Sequence, residues 1–274
     1  MMNLVRAELV KIRTTSTWWL LAIGAFLAVV IAFAFNAWLA HLALSGDAGE
    51  LGLPPEAGAQ ADVAGQAANI YTSGQFFGLL FVMLIGILMV TNEFFHQTAT
   101  TTFLSTPRRT SVILSKLVAA SLVGFAYWLV TTVVDLVAGA VYLSLNDYGT
   151  QLGEWTVQRA LLLNLLAYAI WTVLGVGLGT LITNQLGAVI TASVVYLVGT
   201  QVVGLLFLLL SNLLKTQSIL EWQVLWPAIA SQVMISGVDS PLLPAWWTGA
   251  LVLIGYAIAS GLAGILITRR RDIS

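Results

Sequence analysis

Cysteine is absent from this 274-residue chain, which excludes disulfides, thiolate metal sites and cysteine nucleophiles. Charge is nearly as scarce. Asp, Glu, Lys and Arg make up 8% of the residues, about a third of the share usual in a soluble domain. With 11 basic and 12 acidic residues the net charge is −1, so neither nucleic acid nor an acidic polymer is indicated as a partner. Histidine occurs only as His41 and His96, too few and too far apart for a zinc site, which takes about four ligands or three plus water. None of Lys11, Lys116 and Lys215 follows a Gly, so the chain has no Walker phosphate loop and does not hydrolyse ATP by that route.

What the chain has in abundance is apolar side chains, 59% of the total. A bilayer core of about 30 Å needs roughly 20 apolar residues per helix at 1.5 Å each. Six runs meet that length, near 18–40, 72–91, 117–143, 160–182, 187–210 and 246–268. The expected fold is an all-α integral membrane protein forming one six-span transmembrane domain over 1–274. Arg6, Lys11 and Arg13 precede the first run as in a signal peptide, but its apolar stretch exceeds the roughly 7 to 15 residues of one, so it reads as a retained span.

Orientation follows from the basic residues. With six spans, the segments holding Arg6, Lys11, Arg13, Arg108, Arg109, Lys116, Arg269, Arg270 and Arg271 share one side; only Arg159 and Lys215 fall opposite. Both termini are thus expected in the cytoplasm. The segment 43–69 carries Asp47, Glu50, Glu56 and Asp62 without a single Lys or Arg, and its Gly, Pro and Ala content predicts an exposed outer loop.

Local patterns refine this picture. Val5, Leu9 and Ile12 recur at helical spacing, predicting a helix over 2–13 that lies in the inner interface, with Glu8 interrupting its apolar arc. Gly175 and Gly179 stand four apart in "LGVGLGTL", a spacing that lets membrane helices approach closely. Only "TNQLG" joins the fourth and fifth runs, which therefore form a tight hairpin. Between the fifth and sixth, 211–245 is apolar and divided by Pro227 into pieces too short to span, predicting a re-entrant pair with Trp222, Trp226, Trp246 and Trp247 near the headgroups. Three polar residues fall inside spans: Asp135, Asn164 and Gln201. A carboxylate there costs about 2.5 to 3.5 kcal/mol on insertion scales. A structural ion pair with Arg159 is the preferred reading of Asp135, ahead of a substrate-path or proton-linked role, and interhelical hydrogen bonds are expected of the two amides.

One polar run stands out: "NEFFHQTATTTFLSTPRR", 92–109, after the second span. Asn92 or Thr91 can cap a helix starting at Glu93, whose carboxylate suits a helix N-terminus, and Pro107 limits its far end. The spaced set Glu93, Thr98, Leu104, Pro107, Arg109 and Lys116, with the six-span layout around it, resembles the membrane subunits of type 2 ABC exporters, including bacitracin and lantibiotic permeases and lipid or polysaccharide exporters. The resemblance extends over nearly the whole chain. It implies that 92–109 is a coupling helix docking on a separate ATPase, with Glu93, Thr98, Leu104, Pro107, Arg108 and Arg109 at the contact. The run "TATTT" departs from it in being rich in weak helix formers.

The resemblance also implies partners and setting. Two ATPase subunits would bind the ATP and magnesium, this chain holding no cofactor or metal; a second copy or close homologue would complete the path; membrane lipids would surround it. The implied setting is a bacterial cell membrane, and the implied cargo an amphiphile such as a drug, peptide antibiotic or lipid. Two other classes compete: a multispan enzyme acting on lipid or peptide, for which Asp135 with His41 is the one weak pairing, and a channel or sensor without an ATPase.

Overall fold

Helix is the only regular structure among the described residues of the computed structural model, which are 2–45, 62–105, 109–236 and 244–270. Six helices are long and apolar enough to cross a membrane: Thr17–Leu44, Val63–Phe95, Thr110–Leu145, Trp155–Leu181, Gln185–Leu214 and Trp246–Thr268, here spans one to six. Helices satisfy every backbone polar group internally, which hydrocarbon demands. The chain is an all-α, multi-pass membrane protein. Each expected apolar run falls inside one of these spans to within a residue.

Span two forms the centre of the bundle. Most of its length is buried, whereas spans one, five and six turn most of theirs outward. It begins earlier than its apolar run predicts, because Asp62 caps a helix over Val63–Tyr71 by accepting from the Ala64 and Gly65 amides at 3.3 Å. Residues 63–69 of the expected outer loop are therefore helical, and Gly65, Ala67 and Ala68 are buried; 43–45 of that loop end the span-one helix, and 46–61 lie outside the described residues. A turn at 72–74 separates this piece from the helix Gln75–Phe95.

Spans two and four meet backbone to backbone. Gly86 sits so close to span four that a Cβ there would lie 2.9 Å from the Val176 amide nitrogen and 3.0 Å from the Gly175 Cα. From the other side, a Cβ on Gly179 would lie 2.8 Å from the Ile87 carbonyl oxygen. Small residues on both helices are what permits this approach.

The hairpin between spans four and five is closed by Asn184, whose side chain accepts the Gly187 amide at 2.8 Å. Span five carries one π-helical turn, Val195–Gly199. Beyond it, Pro227 opens a helix over Pro227–Ile235 after a 3-10 helix over Ser218–Leu225. Pro suits a first helical position because its missing N–H would be unpaired there anyway. The Pro227–Ile235 helix is packed inside, Ser231 accepting a 2.7 Å hydrogen bond from the Trp171 indole. Trp222 and Trp247 are exposed, and the half-buried Trp226 donates to Thr200 Oγ1 at 3.0 Å.

Candidate functional site

The polar run after span two is organised differently from its expected single helix. Apolar Phe94 and Phe95 prolong the span-two helix, so Glu93 lies in its last turn and not at the start of a new one. Gln97 then takes a left-handed backbone, φ 56°. Its amide donates to the Phe94 carbonyl at 3.2 Å and that of Thr98 to the Glu93 carbonyl at 2.8 Å, the two bonds of a Schellman stop. A short helix, Ala99–Ser105, follows. Pro107 and Arg108 lie outside the described residues, and of Arg109 only the backbone is described, opening the span-three helix.

Beneath the short helix lies a knot of four charges. Glu8 and Lys11 come from the helix Met2–Thr14, Glu93 from the end of span two and Lys116 from the first turns of span three. Lys116 Nζ lies 2.8 Å from Glu8 Oε2 and 3.0 Å from Glu93 Oε1; Lys11 Nζ lies 2.9 Å from Glu8 Oε1 and 2.5 Å from Glu93 Oε1. Lys116 also donates to the Met89 carbonyl at 3.1 Å. Thr102, on the short helix, donates to Glu93 Oε1 at 3.5 Å. Two carboxylates and two ammonium groups balance, which is what permits burial.

Burial assigns the members different exposures. Lys116 is 1% exposed, Glu8 5% and Glu93 6%, while the Lys11 side chain remains 45% exposed. Burial acts against the Lys11 charge, but the hydrogen bonds and charges of Glu93 and Glu8 outweigh it and hold its pKa above the ordinary 10.5. A raised ammonium pKa stabilises the fold below 10.5, and the contribution is lost as pH rises through the higher folded value. The difference in melting temperature between native chain and Lys11→Gln is therefore expected to be constant through neutral pH and to shrink above 10.5. A difference unchanged by alkali would show that Lys11 adds nothing through its charge.

Two features here escaped the sequence reading. Glu8, taken there as a break in an apolar arc, is inside the arc: it is buried between Val5 and the half-buried Leu9 and Ile12, facing Lys116. Lys116 is a buried partner, not a basic flank. A Glu on the otherwise apolar face of an amphipathic helix was the signal available for both. In contrast, two large apolar side chains of this region are exposed among polar ones: Leu104 is 80% exposed and Phe95 69%, with Phe95 edge-on to the exposed His96 ring at 5.0 Å and Gln97 and Thr101 exposed as well. Thr98 is exposed too.

Neither a family model nor a curated protein matches this chain. Geometry alone places the remaining residues.

Asp135 does not pair with Arg159. Its carboxylate accepts from the Gly74 amide at 3.2 Å and from Ser73 Oγ at 3.4 Å, holding the turn that breaks span two. Arg159 instead donates to the Ser236 carbonyl at 3.1 Å, its guanidinium 5.5 Å from the Trp246 ring centre. The turn offers Asp135 two donors close by, so no distant cation is required. Asn164 is buried, and its Oδ1 has no hydrogen-bond partner among the described residues, unlike the interhelical bond expected of it. Gln201 is exposed on span five. Gly175 faces the Met83 carbonyl and Gly86 of span two, and Gly179 faces Ile87 and Val90.

Proposed function

We propose that this chain is the permease half of an ABC exporter, in which ATP and magnesium are bound by two copies of a separate ATPase. The observation that carries the reading is the exposed Leu104 on a short loop helix tied to the bundle by buried charges, with Phe95 exposed at the end of the helix before it. A loop that served only to mark topology would need basic residues, not two large apolar side chains held outward on an ordered base. Leu104 stands at the position of the exporter pattern quoted above.

On this reading the basic end of the bundle is cytoplasmic and the short helix is the coupling element. Glu93 acts through position: its carboxylate is turned inward, so it anchors the short helix without touching the ATPase. Force applied at Leu104 would reach Thr102, Glu93 and Lys116, and hence spans two and three together. Shifting a two-state bundle from 1:99 to 99:1 takes about 5.5 kcal/mol of differential binding, which nucleotide-driven closure of two ATPases can supply. The outward apolar faces of spans one and five then meet lipid or a second copy, and cysteines placed near Phe33 and Val203 are expected to crosslink between copies in a cell membrane.

Leu104→Asp tests the docking. The variant is expected to reach the membrane and fold normally, since Leu104 is largely exposed, but to lose at least about tenfold in the ATPase activity that copurifies with it, the scale of a hot-spot residue. Full retention of that activity would overturn the reading. Orientation has its own check: because native Cys is absent, a cysteine at Asp62 should react with an impermeant thiol reagent from outside and one at Ser105 should not. Reversed labelling would contradict a cytoplasmic coupling helix.

A further inference from the structure

At the opposite end of the bundle from the charge knot, a cavity of about 520 Å³ opens between the break in span two, span five and the Pro227–Ile235 helix. Its volume is within the roughly 300 to 1,000 Å³ of small-molecule sites. Six carboxamides line it: Asn36, Asn69, Gln75, Gln201, Gln223 and Gln232. No Asp, Glu, Lys, Arg or His is among its described lining residues. Neutral hydrogen-bonding groups gathered from five elements of a chain this apolar require a reason, and among the described residues the fold supplies one only for Asn36, which donates to the Ala32 carbonyl of its own helix at 2.9 Å.

Gln75 supplies a second observation. It is 9% exposed, lines the cavity, and its Nε2 is buried without a hydrogen-bond partner among the described residues. A buried donor left unmade is costly; Nε2 is closed off from the cavity in this arrangement and reaches it only if the Gln75 side chain rotates. The wall that holds it is built firmly. Asp135 fixes the 72–74 turn through Gly74 and Ser73, and Tyr196, in the π-helical turn of span five, donates to the Phe76 carbonyl at 2.7 Å. The Trp226 indole holds Thr200, also on the cavity wall, at 3.0 Å. π-helical turns of this kind occur frequently at functional sites.

We infer that this cavity binds the uncharged, polyhydroxylated headgroup of an amphiphile, a glycosyl lipid by chemistry. Each carboxamide both donates and accepts, and so does each sugar hydroxyl. An anionic headgroup would meet no cation here and a cationic one no carboxylate, since Asp135 is turned to the backbone behind the wall. Phe76 offers an apolar surface for a sugar ring, and the outward face of span five leaves an acyl chain in lipid. An extended peptide would instead need a row of backbone partners, which an all-helical wall does not present. Taken as the cargo of an exporter, this deepens the permease reading and rests on it; the binding itself does not.

The test uses the full-length chain in phosphatidylcholine nanodiscs with four photoreactive probes sharing the same acyl chain and diazirine: a monoglucosyl diacylglycerol, a phosphatidylglycerol, a phosphatidylethanolamine and a neutral acyl-tripeptide amide. Mass mapping is expected to place glucosyl-lipid labelling on 69–76, 201–204 and 223–236, several-fold above either phospholipid and the peptide. Gln232→Leu, exposed and harmless to folding, should reduce that labelling roughly three- to tenfold, the worth of one hydrogen bond, as should Gln75→Leu where it folds. Equal labelling by all four probes, preference for the peptide or a phospholipid, or labelling unaffected by Gln232→Leu would overturn the assignment. No ATPase is present in this experiment, so its failure leaves the permease reading standing, and failure of ATPase capture leaves this one.

Discussion

Replacing Lys116 by Ala is expected to be the most damaging single change at the basic end. Lys116 is almost wholly buried, within 3.0 Å of both Glu8 and Glu93. Its removal leaves two buried carboxylates to share Lys11 alone. Breaking a buried pair by deleting one partner costs about 3 to 5 kcal/mol, because the remaining charge has lost water and gained nothing. Thermal unfolding in nanodiscs should therefore show a large loss of stability. The cause is separable by rescue: Lys116→Ala with Glu8→Gln restores a balanced Lys11–Glu93 pair and should recover a substantial part of the loss. If the double variant is as unstable as the two losses summed, the knot is four independent groups and does not unite the helices.

The second large effect is expected from Gly175→Val. A Cβ at Gly175 runs into the Met83 carbonyl oxygen and comes within 3.1 Å of the Gly86 Cα. Backbone cannot rotate away as a side chain can. Overpacking usually costs about 1 to 3 kcal/mol, and with backbone on the far side the upper end of that range is the expectation. Gly255→Val, on span six with nothing within 4 Å of its Cβ position, carries the same change in propensity without the clash and should leave stability nearly unaltered. Similar melting temperatures for the two variants would show that close approach of spans two and four is not what Gly175 provides.

The spans were legible because a bilayer imposes one strong rule, length of apolar run, that needs no knowledge of neighbours. Small residues were legible for a similar reason: Gly175 and Gly179 share one helix face whatever packs there. What could not be read was which polar groups meet. Asp135 is expected to have a charged partner because a buried carboxylate demands donors, but the donors come from the turn at Ser73 and Gly74; Thr72-Ser73-Gly74 marks a turn in the sequence, yet its approach to Asp135, 61 residues after Gly74, is a property of the fold. Glu93 was placed at a helix start on its capping neighbours, yet the two Phe residues after it extend the preceding helix. Glu8 and Lys116 are separated by more than a hundred residues, so their pairing is a property of the fold alone. The carboxamides around the far cavity were visible singly, as Gln201 was, and their convergence depends on the turn in span two and the short helices after span five.

The central claim is that the short helix, through its exposed Leu104, docks on an ATPase, and one measurement addresses it most directly. A photoreactive amino acid introduced at Leu104, 80% exposed, is activated in native membranes and the adduct identified by mass spectrometry. The account predicts a crosslinked polypeptide bearing a Walker phosphate loop, lost when the loop helix is released by Glu93→Ala. Adducts to lipid alone, to another copy of this chain, or to a protein without a nucleotide site would contradict it.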